Sequence, residues 1–306
     1  MFEGNQDVGS APLPDMGGDF GERKSIFQKI FSKSETAIPI ILIVILLVIL
    51  VLAFSGWDYS TIPVIGPGLQ SIFGAKQYNV LVIGQPKPVT VNNIMGSPDF
   101  TKKYKFTYRE EYLLDKYPEN QLKPYDFIIL DQSEASSKMG FVKAIPYQLS
   151  KALESSVASG KSLVIIGNSG HVVAGNPDTY GWQEIFGTMV PVDCIQNISL
   201  ESPCEVPSSV VGILENSHIS KVLYGIEQIP DLAYTAQGVP GLNLTTYNVN
   251  IASGEEWMWI KDIQTKKQYP GIVVNKGLLG GKVVYISFEE WGLIPGVIHR
   301  IFEYIQ

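Results

Sequence analysis

Hydrophobic positions fall into distinct rhythms along this chain, and each rhythm predicts a different element. From Ala37 to Phe54 they form an unbroken run, AIPIILIVILLVILVLAF, that carries no charge. At about 1.5 Å of rise per residue such a run reaches ~27 Å, close to the hydrocarbon thickness a helix must cross. Residues 37–57 are therefore expected to form a transmembrane helix. Ahead of it, Ile26, Phe27, Ile30 and Phe31 recur at helical spacing among Arg23, Lys24, Lys29 and Lys33. That pattern predicts an amphipathic helix over residues 22–36, lying in the membrane interface. Residues 1–21 carry Gly, Pro, Asp and Ser with apolar residues scattered singly, which leaves no face to bury and predicts a disordered tail.

Beyond the apolar run, Pro63, Gly66, Pro67 and Gly68 break regular structure and mark residues 58–76 as a linker or stalk. A folded domain is expected over 77–306. Its short continuous apolar runs, Tyr78 to Gly84, Tyr125 to Asp131, Lys161 to Gly167 and Lys282 to Ser287, are apolar on both faces. Central parallel strands covered by helices on each side read this way. Ile145, Leu149, Ala152, Leu153 and Val157 follow the second of these runs at helical spacing, and Ile294, Val297, Ile298, Ile301, Phe302 and Ile305 follow the last. The alternation predicts an α/β fold with an open, doubly wound, mostly parallel sheet of flavodoxin-like or amidotransferase-like kind. Between Met189 and Lys276 the segments shorten and turns multiply, as in Asn248 to Ile251, Trp257 to Ile260 and Gly271 to Val274, which predicts an antiparallel β-rich extension. Trp257 and Trp259, two apart, would share one strand face, either packed in the core or exposed as a stacking surface for sugars or a partner.

Charge then fixes orientation and removes one class of function. Four cations flank the N-terminal side of the apolar run, whereas the far flank offers Asp58 and no lysine before Lys76. The positive-inside rule puts the N-terminus in the cytoplasm and the domain outside the cell, as a single-pass protein of the cell membrane. The run is too long and starts too late for a cleaved signal peptide. Trp57 and Tyr59 fit the outer aromatic belt. With 23 basic against 30 acidic residues, the net charge of −7 gives no basic surface for phosphates, so nucleic acid is not an expected partner. The bilayer itself is one, and a protein of the membrane or cell surface another.

The two cysteines, Cys194 and Cys204, are ten positions apart. Outside the cell they are expected to pair, and a loop this short is worth about 3 kcal/mol by chain entropy; in a reducing cytosol they would stay thiols. No histidine at metal-ligand spacing accompanies them, so no metal and no cofactor is expected. Asn197-Ile-Ser199 and Asn243-Leu-Thr245 are glycosylation sequons.

Ligands of open α/β sheets bind beyond the carboxyl ends of the strands. Here those ends are polar: Gln85 after the first run, Asp131 and Ser133 after the second, Asn168, Ser169 and His171 after the third, and Glu289, Glu290 and Trp291 after the last. Convergence of these groups would build a binding site; any one alone reads as a satisfied loop residue or helix cap.

The strand followed by Gly167-Asn-Ser-Gly-His171, the segment with Tyr180-Gly-Trp182 and Phe186-Gly187, and the closing Gly281-Lys-Val-Val-Tyr-Ile-Ser-Phe-Glu289 resemble the class I glutamine amidotransferase-like superfamily, in particular its ThuA-like branch. The resemblance covers about Tyr78 to Gln306. It implies a Cys nucleophile on the turn after the third strand and a His and Glu after the last. This chain departs at both points, with Ser169 at the turn and Glu289 where the His would stand. The expectation is a domain that has lost its catalytic groups and binds a glycan or peptide, or serves as an accessory subunit of a membrane or cell-surface complex. The rival is an envelope hydrolase acting on carbohydrate or amide through Ser169, His171 and Glu289, or through the acids Asp131, Glu289 and Glu290. A purely structural role in membrane assembly is the third reading.

Overall fold

A computed structural model describes residues 76–306 except 115, 135–144, 172–180, 195–203, 205–206, 218–240 and 277–280, together with 43, 44, 46 and 47. The chain divides into two compact units, Met1–Ala75 and Lys76–Gln306. In the first, Ile43, Val44, Leu46 and Leu47 are helical and exposed. The rest of the apolar run, the N-terminal tail, the interfacial helix and the stalk as far as residue 75 lie outside the described residues. Among the described residues no helix is long and apolar enough to cross a membrane.

The second unit is built on one nine-stranded sheet. Its parallel half runs β2 (Tyr104–Arg109), β1 (Tyr78–Ile83), β3 (Phe127–Leu130), β4 (Ser162–Ile166) and β11 (Lys282–Ile286). The four apolar runs read from the sequence are β1, β3, β4 and β11. β3 and β4 are buried along their whole length. Successive side chains of these strands alternate between two cores. Val80, Val82, Phe127, Ile129, Val164, Ile166, Val284 and Ile286 enter one, and Leu81, Ile83, Ile128, Leu130, Leu163, Ile165, Val283 and Tyr285 the other. Strands with two apolar faces are stable only when helices cover both. The first core is closed by α2 (Pro295–Ile305) through Val297, Ile298, Ile301, Phe302 and Ile305, the second by α1 (Tyr147–Ala158) through Leu149, Ala152, Leu153 and Val157. Ser162 Oγ and Lys282 Nζ donate to the carbonyls of Ile305 and Tyr304, serving acceptors that the end of α2 leaves open.

β2 escapes the sequence reading. Its six residues, YKFTYR, put charges between aromatics, as an edge strand buried on one side does, and the run of two-faced apolar residues is absent. The antiparallel extension is joined edge-on to the same sheet: β10 (Gln268–Lys276) pairs β11, followed by β9 (Glu255–Asp262), β6 (Ser208–Asn216) and β7 (Leu242–Thr246). A separate pair, β5 (Val192–Cys194) with β8 (Val249–Ile251), ends in the disulfide Cys194–Cys204, whose Cα atoms lie 5.6 Å apart. Trp257 is core, edge-to-face on Tyr304 at 4.5 Å, while Trp259 is half-buried. Asn243 is exposed on β7; Asn197 lies outside the described residues.

Glu256 on β9 gives this core a pH dependence. It is only 8% exposed, and its Oε1 has no hydrogen-bond partner among the described residues. Burial pushes its carboxyl from 4.5 up to about 7. The native state then holds this proton more tightly than the unfolded chain, so stability falls as pH rises through that window. Glu256→Gln is expected to raise the unfolding midpoint at pH 8, by about 1–3 kcal/mol of stability, and to leave it unchanged at pH 4. Equal midpoints at pH 8 would contradict this origin of the slope.

Candidate functional site

The strand order places β1 between β2 and β3, so the chain winds out to β2 and then back to β3, and the switch point lies between β1 and β3. In open α/β sheets that reversal opens a crevice beyond the strand ends, where ligands enter. Here the backbones at the ends of β1 and β3 approach closely. Gly84 has φ +100°, and a Cβ on it would sit 2.4 Å from Asp131 O and 2.8 Å from Gln132 Cγ. Gly84 is thus the residue that lets the ends of β1 and β3 meet. Gln85 is turned outward, where its Nε2 donates to Glu110 Oε1 at 2.6 Å.

Behind this contact lies a set of buried polar groups bound to one another. Asp131 is fully buried; Trp291 Nε1 donates to its Oδ2 at 2.7 Å, and Ser133 donates to its Oδ1 from both backbone N–H, at 3.0 Å, and hydroxyl. Ser169, also fully buried, accepts the backbone N–H of Gln132 on its Oγ at 2.9 Å. The Gln132 side chain returns the bond, its Oε1 accepting Gly170 N–H at 3.0 Å. Trp182 Nε1 donates to the carbonyl of Ser169 at 2.9 Å. The turn after β4 is thereby stitched to the turn after β3. Among the described residues, no imidazole or carboxylate accepts a hydrogen bond from Ser169 Oγ.

His171 is 1% exposed and lies edge-on to Trp182 at 5.7 Å between ring centres. A nitrogen of its ring and the sulfurs of Cys194 and Cys204 fall within 4.8 Å of one another. The sulfurs are bonded to each other, and a disulfide offers no thiolate to a metal. Asn168 is 6% exposed, and its Oδ1 has no hydrogen-bond partner among the described residues.

At the end of β11 the two glutamates serve different neighbours. Glu289, 3% exposed, accepts Tyr247 OH on Oε1 at 2.6 Å, and Lys87 Nζ stands 2.9 Å from its Oε2. Glu290 accepts the Thr245 N–H at 2.7 Å, the Thr245 hydroxyl at 2.8 Å and Lys87 Nζ. Gly167, with φ +57°, gives room to this group: a Cβ there would stand 2.9 Å from Tyr247 Cε2. Burial pulls the Lys87 ammonium down, but its bonds to Glu290 and then Glu289 outweigh that and hold its pKa above the ordinary lysine value.

Of the residues named from the sequence, Asp131 and Ser133, Ser169 with its neighbour Asn168, and Glu289 and Glu290 gather in these clusters, with Trp291 as donor to the first. His171 stands beside the disulfide, and Gln85 faces solvent. Lys87, Gln132 and Tyr247 are not among the site residues expected from the sequence, and Thr245 enters there only as part of a sequon. The signal for Lys87 was indirect, since two adjacent acids on a buried strand end need a cation, and the sequence does not say which lysine folds onto them.

No family model matches the chain, and no curated protein matches it. Among solved structures, a Parabacteroides merdae protein described as ThuA-like is 10% identical over 75% of this chain and 90% of its own, with a TM-score of 0.46. The cytoplasmic protein STM3548 of Salmonella typhimurium is 12% identical over 74% of this chain and 98% of its own, at 0.44. A Thermoplasma acidophilum protein described as part of a GMP synthase is 9% identical, covering 74% and 96%, at 0.38. At these TM-scores no likeness carries an argument about chemistry, and the site speaks through its own residues.

Proposed function

We propose that this chain is a membrane-anchored α/β binding domain, set outside the cell, whose strand-end site holds the fold together instead of turning over a substrate. One observation supports it above the others: Ser169 Oγ is engaged by a backbone amide, and the Glu289 carboxylate by Tyr247 and Lys87. A serine becomes a nucleophile only with a base in reach of its proton, and a carboxylate held by a lysine and a tyrosine is no free proton acceptor. The amidotransferase-like resemblance supplies the scaffold, and the exchange of its Cys and His for Ser169 and Glu289 the loss of activity. The domain then serves an accessory role in a membrane or cell-surface complex, or recognises a glycan or peptide. The apolar run from Ala37 to Phe54 supports the anchor.

Two measurements test this. Alkaline carbonate is expected to leave the full chain in the membrane pellet and to extract a variant lacking residues 37–57. The full chain and its Ser169→Ala/Glu289→Gln variant are expected to give the same background rate on nitrophenyl esters, anilides and glycosides. Extraction of the full chain removes the anchor, and turnover lost in the variant removes the binding reading.

A further inference from the structure

Asp131, Ser133, Ser169, Glu289 and Glu290 of the strand-end site are bonded to neighbouring groups; at the surface a set of polar side chains is not. An open groove of about 850 Å³ runs between residues 116–120, at the start of the helix Pro118–Leu122, and the start of α1. Tyr117 and Tyr147 line it, 80% and 66% exposed, the two most exposed tyrosines described. Lys116, Glu119, Asn120 and Gln148 line it too, and among the described residues their side chains make no hydrogen bond. Lys151 closes one side, its ammonium 5.7 Å from the centre of the Tyr147 ring and bound to Glu154. Tyr117 is held at φ +53°, a conformation that costs a non-glycine residue about 1–3 kcal/mol and is kept mainly where function uses it.

This lining selects among ligands. No Leu, Ile, Val or Met is among the described residues that line it, so it lacks the greasy anchor pocket on which protein hot spots depend. Both amides and both charge signs are represented, which suits a ligand dense in hydroxyls that donate and accept at once. Two exposed phenol rings suit a ligand with flat C–H faces. We propose, resting on the reading of the domain as a binding module, that this groove binds a saccharide, its rings packed on Tyr117 and Tyr147 and its hydroxyls bonded to Asn120, Gln148 and Glu119.

The test titrates the full chain in detergent with tri-N-acetylchitotriose, cellotriose and maltotriose, read by saturation-transfer NMR. At least one is expected to bind, with saturation at the sugar C–H protons. Tyr147→Ala and Tyr117→Gly should each weaken it about tenfold or more, whereas Tyr147→Phe should keep most of it. Tyr117→Gly also relieves the left-handed backbone, so it should unfold at the same temperature as the wild type or higher, and lost binding there cannot be blamed on lost fold. Absence of binding by all three sugars, or binding that ignores both tyrosine variants, overturns the proposal. So does a polypeptide held through these tyrosines in place of a sugar. None of these outcomes touches the turnover assay above, so the groove can fail while the non-catalytic reading stands.

Discussion

Replacing Lys87 with methionine is expected to destabilise the domain by about 2–4 kcal/mol. The change keeps the length of the side chain and its packing but removes the cation shared by Glu289 and Glu290. Glu289, its side chain only 4% exposed, would lose the ammonium that stands 2.9 Å from its Oε2. Removing one partner of a buried ion pair costs several kcal/mol, and the 20% exposure of Lys87 moderates the loss because water can partly replace the ammonium. The pH test follows from the raised pKa of Lys87. Its contribution is complete below the unfolded-state pKa and is lost only as pH rises through the higher folded-state value. The gap between wild type and Lys87→Met should therefore stay constant from pH 7 to pH 9 in denaturant titrations. A gap of less than about 0.5 kcal/mol would mean that the pair behaves as an ordinary surface salt bridge.

Phe302→Ala should cost more, about 3–5 kcal/mol. Its ring lies 5.1 Å from both Tyr104 and Phe127, 5.9 Å from Phe100 and 6.4 Å from Phe106 and Trp291, so α2, β2, β3 and the turn after β11 all meet on it. Removing it opens a cavity that four elements cannot collapse around. The site feels the loss as well, because Trp291 is both a wall of this aromatic group and the donor to Asp131. Denaturant unfolding with near-ultraviolet circular dichroism as a second probe checks both effects. A loss below about 1.5 kcal/mol would show that the cluster repacks.

The sequence discloses what depends on local rhythm. β1, β3, β4 and β11 were visible because a strand buried on both faces has no polar positions to interrupt it, and α1 and α2 because one apolar stripe faces a sheet. β2 was not, since YKFTYR alternates rings with polar residues in a manner shared with many loops. The joining of the extension to the main sheet was not either, because the pairing of β10 with β11 is a contact between edges that no local pattern encodes. In the site, the strand-end rule located Asp131, Ser169 and Glu289 without reference to any partner. It missed Lys87, flanked by Pro86 and Pro88, whose meaning arises only when the fold brings it to residues some 200 positions away. Nor did it show that the polar groups would satisfy one another, which is the difference between an open site and a closed one.

Whether Ser169 is inert decides the functional reading. The full chain should be treated with a fluorophosphonate, which phosphonylates serines whose hydroxyl is activated by a base, and digested for mass spectrometry of the peptide that carries Ser169. No adduct on Ser169 is expected at pH 7 to 9, under conditions in which a serine hydrolase added as a control is fully labelled. Labelling of Ser169 that approaches one adduct per chain, and that disappears in Glu289→Gln, would show an activated nucleophile and contradict the central claim.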